Sequence, residues 1–290
     1  MSGVALNAPL LRRDARREQE RLFTLCAPAL TLGTLVLFIP IGWLIWQSII
    51  DGNGALTLQY YRQIVSGGAY LAIIGNTFEI SLLVTAICAV IAYPLSYALA
   101  QATPRMANIL LLGVLAPFWT SVLVRTYAWI ILLQRHGLVN EMLVGLGIID
   151  EPVQLVNNFL GTVIGMVHIM LPYLVLPLYA SMRAIDPSYM QAAANLGANP
   201  VRAFWQIYAR LSLPGFFAGL VLVFVLCLGF YITPAMLGGG HVIMIAQRVA
   251  DSVSLYPTWG PASSLGVVLL VLTLLVLAGG WRLARRRVAA

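Results

Sequence analysis

The sequence predicts an all-α membrane protein, a polytopic helical bundle with six transmembrane helices. Of its 290 residues, 60% are hydrophobic and only 9% are charged, and the mean hydropathy is +0.89. That composition lies outside the range of soluble globular domains. Six stretches are long and apolar enough to cross a bilayer core, which takes about 20 helical residues. The arginines concentrate in alternate loops, as expected of a multi-pass protein.

The predicted spans cover 22–50, 73–101, 107–133, 156–183, 213–240 and 261–282. Each is expected to be helical, because lipid offers no hydrogen bonds to an open backbone. Prolines inside the spans, including Pro117 and Pro234, are expected to bend the helices rather than end them. Gly229 and Gly238-Gly239-Gly240 indicate a break or hinge in the fifth span.

The net charge of +7 would suit a nucleic-acid-binding protein, but the positions of the arginines argue against nucleic acid as a partner. The loops predicted to be cytoplasmic contain most of them: Arg12, Arg13, Arg16, Arg17, Arg21, Arg105, Arg183, Arg202, Arg210, Arg282, Arg285, Arg286 and Arg287. The opposite loops contain only three, Arg62, Arg135 and Arg248, among several carboxylates. The positive-inside rule therefore predicts a cytoplasmic N-terminal segment 1–21, a six-span domain 22–282 and a cytoplasmic tail 283–290.

Catalytic chemistry is not expected of this chain. It contains no Lys, so it has no P-loop, and any ATP hydrolysis behind its work belongs to another polypeptide. The three histidines lie in different segments without metal-ligand spacing, and neither HExxH nor GxSxG is present. His168 in the fourth span is interpreted as structurally satisfied or pathway-lining.

The cytoplasmic segment 183–212 predicts two short helices. Asp186 is a suitable N-cap for a helix that begins at Pro187, and Gly197 suits the left-handed residue that closes it. Asn199 and Pro200 repeat the start signal. The second helix is expected to have one apolar face, formed by Val201, Phe204, Trp205, Tyr208 and Leu211. The run Ala192-Ala193-Ala194 gives the first helix a thin surface on which a partner can dock; an ordinary connector on the membrane surface is the alternative.

The stretch from Gln191 to Gly197, with Ile207 ten residues further on, resembles the EAA motif of ABC importer membrane subunits. Gln191 replaces the motif's acidic residue, and Ala209-Arg210 replaces its Leu-Pro, although Leu213-Pro214-Gly215 follows. The resemblance implies a type I ABC importer permease fold in which this segment is the coupling helix that seats in an ATPase subunit. The residues implied in ATPase coupling are Asp186, Gln191, Ala192, Ala193, Gly197, Pro200 and Phe204.

A second resemblance, to the spermidine/putrescine type of permease, extends from about residue 75 to 280. It rests on 116–129, Gly137-Leu138-Val139-Asn140, Gly147-Ile148-Ile149-Asp150, 171–179 and Leu237-Gly238-Gly239. A polyamine or related amine is the cargo this implies, although permeases of the same build also transport opines, phosphonates and metal complexes.

The resemblance also implies the partners. These are an ABC ATPase dimer that carries ATP and Mg, a second homologous permease subunit and a periplasmic solute-binding protein. The chain itself is expected to bind no cofactor and no metal, and to lie in the lipid bilayer of a bacterial inner membrane with both termini cytoplasmic. A secondary transporter or channel that needs no ATPase is the alternative, although such carriers usually keep several ionisable groups at mid-membrane.

Glu79 is the one carboxylate well inside a predicted span, where an ionisable residue indicates function. Three interpretations stay open: a role in the cargo pathway, snorkelling to the outer end of the span, or a pairing with Arg125. Aromatic faces attract cations, so aromatic residues of the third and fifth spans are further pathway candidates. They are Phe118, Trp119, Tyr127, Trp129, Phe230 and Tyr231.

Overall fold

The computed structural model describes residues 8–288, and side chains are described for 24–280 and 282. The side chains of both predicted basic segments, 1–21 and 283–290, lie outside the described residues. The described chain is helical, and its one β feature is an isolated antiparallel bridge between Ile50 and Leu56. In chain order, the α-helices are α1 Ala8–Ser48, α2 Gln59–Ser66, α3 Gly68–Gln101, α4 Pro104–Leu115, α5 Val122–Leu133, α6 Leu138–Gly145, α7 Phe159–Arg183, α8 Pro187–Asn195, α9 Pro200–Ala203, α10 Ala209–Leu228, α11 Ile232–Leu237, α12 Ile245–Leu255 and α13 Gly260–Val288.

Five helical stretches of the described residues are long and apolar enough to cross a membrane. They are Thr24–Ser48, Gly68–Gln101, Phe159–Arg183, Pro200–Leu228 and Gly260–Gly280. The stretches Pro104–Trp119 and Val122–Gly145 pass the same test together and are bent by 101° at the break between them. The described residues therefore contain five apolar spans, or six when the bent pair is counted as one crossing, the number that the sequence predicts.

The prediction of an unbroken third span over 107–133 is wrong. After α4 the chain tightens into a 3-10 turn, Ala116–Trp119, and Thr120 then takes an extended backbone with φ −103° and ψ 145°. Pro117 has no N–H to continue the helical ladder, so it contributes to this break instead of a bend. The span continues in a new direction from Val122.

The predicted bounds of the fifth span, 213–240, are also wrong. Helix α9 continues through a π-helical turn, Phe204–Tyr208, directly into α10, so the apolar stretch already begins at Pro200. The expected break at Gly229 is confirmed, because α10 ends at Leu228 and the chain restarts as the short helix α11. Pro214 lies inside α10 and Pro234 inside α11, consistent with prolines that do not end helices.

Helices α3, α7 and α10 pack together as the core of the bundle. Their approach is close because α10 presents glycine to α7 at two positions one turn apart. A Cβ on Gly215 would overlap the side chain of Ser181, and one on Gly219 would lie 3.2 Å from Leu174. Membrane helices associate through small residues of this kind, since lipid supplies no hydrophobic drive.

The remaining spans surround this core. Helix α13 contacts α1, α10 and α12, and α11 contacts both α5 and α7. A buried hydrogen bond of 3.1 Å joins the hydroxyl groups of Thr126 in α5 and Thr233 in α11. Gly165 in α7 leaves room for Thr233 and Leu237, since a Cβ there would lie 2.8 Å from each side chain. The broken parts of the third and fifth spans are thereby fixed to the core.

Candidate functional site

Helix α8 begins and ends where the sequence predicts. The side chain of Asp186 accepts a hydrogen bond of 2.8 Å from the backbone N–H of Ser188, and this bond lowers the pKa of Asp186. Gly197 has a φ of +80°, and the N–H groups of Gly197 and Ala198 bond to the carbonyls of Ala194 and Ala193. That pair of bonds is a Schellman closure, which fixes both the length of α8 and the exit direction of the chain.

One face of α8 packs on the bundle and the other is exposed. Ala193 is 5% exposed, and Ile185 and Met190 pack against the hydrophobic core. Gln191 and Ala192 are exposed, as is Leu196, which is 89% accessible at the end of the helix. The exposed side of α8 therefore contains some of the residues implied in ATPase coupling, whereas Ala193 is buried in a helix that contacts α9 and the π-helical turn.

The second half of the segment 183–212 differs from the prediction. Asn199 caps α9 as expected, because its side chain accepts a bond of 2.7 Å from the N–H of Arg202, and Pro200 occupies the first turn. The expected single apolar face is wrong. Tyr208 is 4% exposed, whereas Val201 and Trp205 are 67% and 65% exposed. A π-helical turn adds a residue per turn, so positions that share a face of an α-helix separate.

The π-helical turn is the centre of an aromatic cluster that sequence reasoning missed. Phe204 and Tyr208 stack with their ring centroids 5.9 Å apart. Both meet the ring of Tyr97 edge-on, at 5.3 and 5.2 Å, and Tyr93 meets Phe204 at 6.3 Å. The four-residue spacing of Tyr93 and Tyr97 places them on one face of α3, but nothing in the sequence pairs them with residues more than 100 positions away.

Polar contacts join the same elements. Nη1 of Arg183, at the end of α7, donates to the backbone carbonyl of Ala100 at 3.2 Å. The hydroxyl groups of Tyr93 and Ser212 lie 3.1 Å apart. The segment 183–212 is thus packed against the end of α3 through aromatic and polar contacts.

Glu79 lies near the other end of α3 and lines a cavity of about 280 Å³. Residues of three segments form its wall: Asn76, Glu79, Ile80, Asn157, Asn158, Phe159, His241 and Val242. Asn157 also lines a neighbouring cavity of about 700 Å³, together with Arg135 and Gln154. Between 24 and 280 Glu79 has no ion pair, so the pairing with Arg125 that the sequence left open does not form.

The aromatic candidates do not gather around Glu79, since none of the six lines its cavity. Trp119 and Tyr127 are 74% and 59% exposed on the broken third span, and Tyr231 is 46% exposed. Phe118 packs edge-on against Tyr173 with centroids 5.0 Å apart, and Phe230 is half-buried against the core. The pathway role of all six stays a prediction.

Trp129 is the candidate with the most specific contact. Its Nε1–H donates a hydrogen bond of 3.2 Å to Nδ1 of His168, and the two rings meet edge-on at 5.6 Å. The nearby Arg125 is partly buried, and its Nε has no hydrogen-bond partner among the described residues. Nδ1 of His168 therefore has a structural partner, which agrees with one of the two roles expected of this residue.

Comparison with known proteins identifies the family of this chain. Residues 22–288 match the family described as "Binding-protein-dependent transport system inner membrane component". The chain belongs to this family. Spermidine/putrescine transport system permease protein PotB of Escherichia coli is 30% identical over 262 residues, covering 88% of this chain and 95% of that protein. PotB of Haemophilus influenzae is 30% identical over 80% of this chain and 82% of its own.

Solved structures confirm the fold of the permease. A chain of a bacterial alginate ABC transporter, solved with a periplasmic protein bound to alginate pentasaccharide, superimposes with a TM-score of 0.75 at 16% identity. The match covers 94% of this permease and 96% of that chain. A chain of the MetNI methionine ABC transporter in an inward-facing conformation gives a TM-score of 0.56 at 13% identity. That match covers 75% of this permease and 95% of the other chain.

The permease is therefore a transmembrane subunit of an ATP-driven importer. It forms the translocation pathway for a small solute in the inner membrane and couples to a separate ATPase. The alternative of a secondary transporter or channel that needs no ATPase is excluded by the family.

Proposed function

We propose that the permease imports an aliphatic polyamine and receives the ATPase at the exposed face of α8. The observation that carries the cargo assignment is the identity of 30% with PotB along 88% of the chain, since PotB is a spermidine/putrescine permease. A polyamine is an aliphatic chain that carries several ammonium groups. Because a bare charge is costly inside a membrane, a carboxylate along the pathway would stabilise each ammonium group as it passes. Glu79, which forms no ion pair with any side chain that the structure describes, supplies such a charge.

A second cargo deserves a test because another relative has a different one. PhnU of Salmonella typhimurium, assigned to 2-aminoethylphosphonate transport, is 27% identical over 87% of this chain. That cargo combines an ammonium group with an anionic phosphonate, which a carboxylate at Glu79 would repel. The structure therefore favours the purely cationic cargo.

The coupling role rests on the form of α8. Helix α8 is short and capped, and it exposes Gln191, Ala192 and the adjoining Leu196, while Ala193 is buried and the helix contacts α9 and the π-helical turn. A helix with a thin exposed surface suits insertion into a groove of a partner. Two ATPase subunits that carry ATP and Mg, a second similar permease and a periplasmic binding protein complete the proposed assembly.

The proposed orientation places α8 and both termini in the cytoplasm, because the arginines concentrate on that side. Glu79 lies 21 residues before Ala100 along α3, about 30 Å at 1.5 Å per helical residue, so its cavity is at the periplasmic end.

The cargo is tested by uptake of radiolabelled putrescine, spermidine and 2-aminoethylphosphonate into cells that lack other polyamine importers. Cells that express the complete transporter should accumulate the two polyamines in an ATP-dependent manner and exclude the phosphonate. Accumulation of the phosphonate without the polyamines would reject the proposed cargo.

A further inference from the structure

The cavity at Glu79 has a wall made of polar groups from three separate segments. Asn76 and Glu79 lie on adjacent turns of α3, Asn157 precedes α7, and His241 precedes α12. These segments are far apart in the sequence, so the cluster exists only in the folded chain.

The polar side chains of this wall are not used to hold the fold together. Asn158 is the exception, because its side chain accepts a hydrogen bond from the N–H of Gly161 and donates one to Gln154. Within the described residues, the side chains of Asn76, Glu79, Asn157 and His241 form no hydrogen bond or ion pair. Glu79, Asn157 and His241 are exposed, so the four polar groups face an open pocket and are free to bind a ligand.

The backbone around Asn157 is held in an unusual conformation. Asn157 is the one non-glycine residue of the described chain with a positive φ, at 61°. Gly239, with φ +57°, lies directly against it, since a Cβ on Gly239 would overlap the side chain of Asn157. The N–H of Asn158 also bonds to the carbonyl of Leu237 at 3.1 Å. Contacts on both sides thus fix the place of Asn157 in the wall.

The chemistry of the wall selects a cation that donates hydrogen bonds. Glu79 brings a negative charge with no arginine paired to it, and the amide oxygens of Asn76 and Asn157 are acceptors. An ammonium group has one positive charge and three donors and no acceptor, so it matches these groups. The volume of about 280 Å³ is near the lower limit for small-molecule sites, which suits one end of an aliphatic amine.

We propose that this cavity is a binding site for a primary ammonium group of the cargo, with Glu79 as counter-ion and Asn76, Asn157 and His241 as hydrogen-bonding groups. The inference rests on the proposed function, because it assumes an amine as cargo, and it adds a specific site on this chain. The site stands apart from α8, at the opposite end of α3.

The test uses the complete transporter, purified through a tag on this chain and reconstituted into liposomes with its binding protein. The concentration dependence of putrescine import is compared among wild type, Glu79→Gln, Asn157→Gly and the control Glu151→Gln. Glu79→Gln keeps the shape and removes the charge. Asn157→Gly keeps the positive φ and removes the amide, so it tests the wall even where the first variant assembles poorly. Glu151 is an exposed carboxylate outside the cavity.

We expect import by Glu79→Gln at subsaturating putrescine to fall about tenfold or more, since the variant loses the charge that strengthens its hydrogen bond to the ammonium group. Asn157→Gly should reduce import by a smaller factor, and Glu151→Gln should match wild type. Wild-type import by both cavity variants would overturn the site and leave the proposed cargo standing. Wild-type transporter that imports no aliphatic amine would overturn the proposed cargo and the site together.

Discussion

Gly197 is the residue on which the end of α8 most depends. Its φ of +80° lies in the left-handed region, and a Cβ there would meet no atom within 4 Å. The obstacle to another side chain is therefore the backbone conformation alone, which costs an L-residue about 1–2 kcal/mol. Gly197→Ala is expected to loosen the closure of α8 and to reduce the amount of ATPase that copurifies with the chain after a high-salt wash.

Gly197→Asn is the matched control, because Asn adopts positive φ more readily than Ala. It should retain more ATPase than Gly197→Ala although its side chain is larger. If the larger residue retains less, the surface at Gly197 is in contact with the ATPase and its conformation is not the deciding factor.

Single residues also show what sequence can predict. The caps at Asp186, Asn199 and Gly197 were predictable because each depends on groups within a few positions. The burial of Ala193 was not, because three consecutive alanines do not show which of them is buried. The lack of a pair between Glu79 and Arg125 was equally hidden, since it depends on where both residues lie in three dimensions.

At the scale of the elements, the contact between α7 and α10 depends on Gly215. A Cβ at this position would lie 2.7 Å from the carbonyl oxygen of Pro177 and would also overlap Ser181. Gly215→Ala should push the two helices apart and cost about 1–3 kcal/mol, as overpacking of a core does. A thermal-shift measurement on the purified permease in detergent should show a lower midpoint.

Gly113→Ala is the control for this change, because it is also a glycine-to-alanine substitution within a helix and its Cβ would meet nothing within 4 Å. The control should leave the midpoint unchanged or raise it slightly, since Ala favours helix over Gly by about 1 kcal/mol. Equal midpoints for the two variants would contradict the close packing of α7 on α10.

The π-helical turn makes a separate prediction about coupling. Phe204 directly follows α9, and its ring contacts the rings of Tyr93 and Tyr97 in α3. Phe204→Ala should remove this connection at a cost of about 2 kcal/mol, less than the loss of a fully buried Phe because Phe204 is half-buried. We expect fewer cargo molecules imported per ATP hydrolysed, while the ATPase still copurifies, because the exposed face of α8 is unchanged.

Phe204→Leu, which keeps much of the apolar volume, should give an intermediate value of cargo per ATP. An unchanged ratio in Phe204→Ala would show that the aromatic cluster supports the fold without transmitting movement. Sequence could not have placed this turn, because the departure from α-helix depends on where the rings of α3 lie.

The whole molecule was predictable to the level of class and family, and its five or six apolar spans agree with the six predicted. The length of the apolar stretches and the uneven distribution of arginine between the loops are set by many residues, so a local irregularity does not change them. The break near Trp119 and the early start of the fifth span at Pro200 were not predictable, because an apolar stretch looks the same whether its helix is straight, bent or continued. Both irregularities lie at candidate functional segments, where local rules are most often overridden.

The central claim for the whole molecule is that ATP hydrolysis reaches the spans through the exposed face of α8. The most direct measurement is copurification of the ATPase with the tagged chain, comparing wild type, Ala192→Asp and Ala55→Asp. Ala192 is on the exposed side of α8, whereas Ala55 is exposed on the loop that precedes α2. The ATPase should copurify with wild type and Ala55→Asp and be lost from Ala192→Asp. Full retention by a folded Ala192→Asp variant would contradict docking at α8.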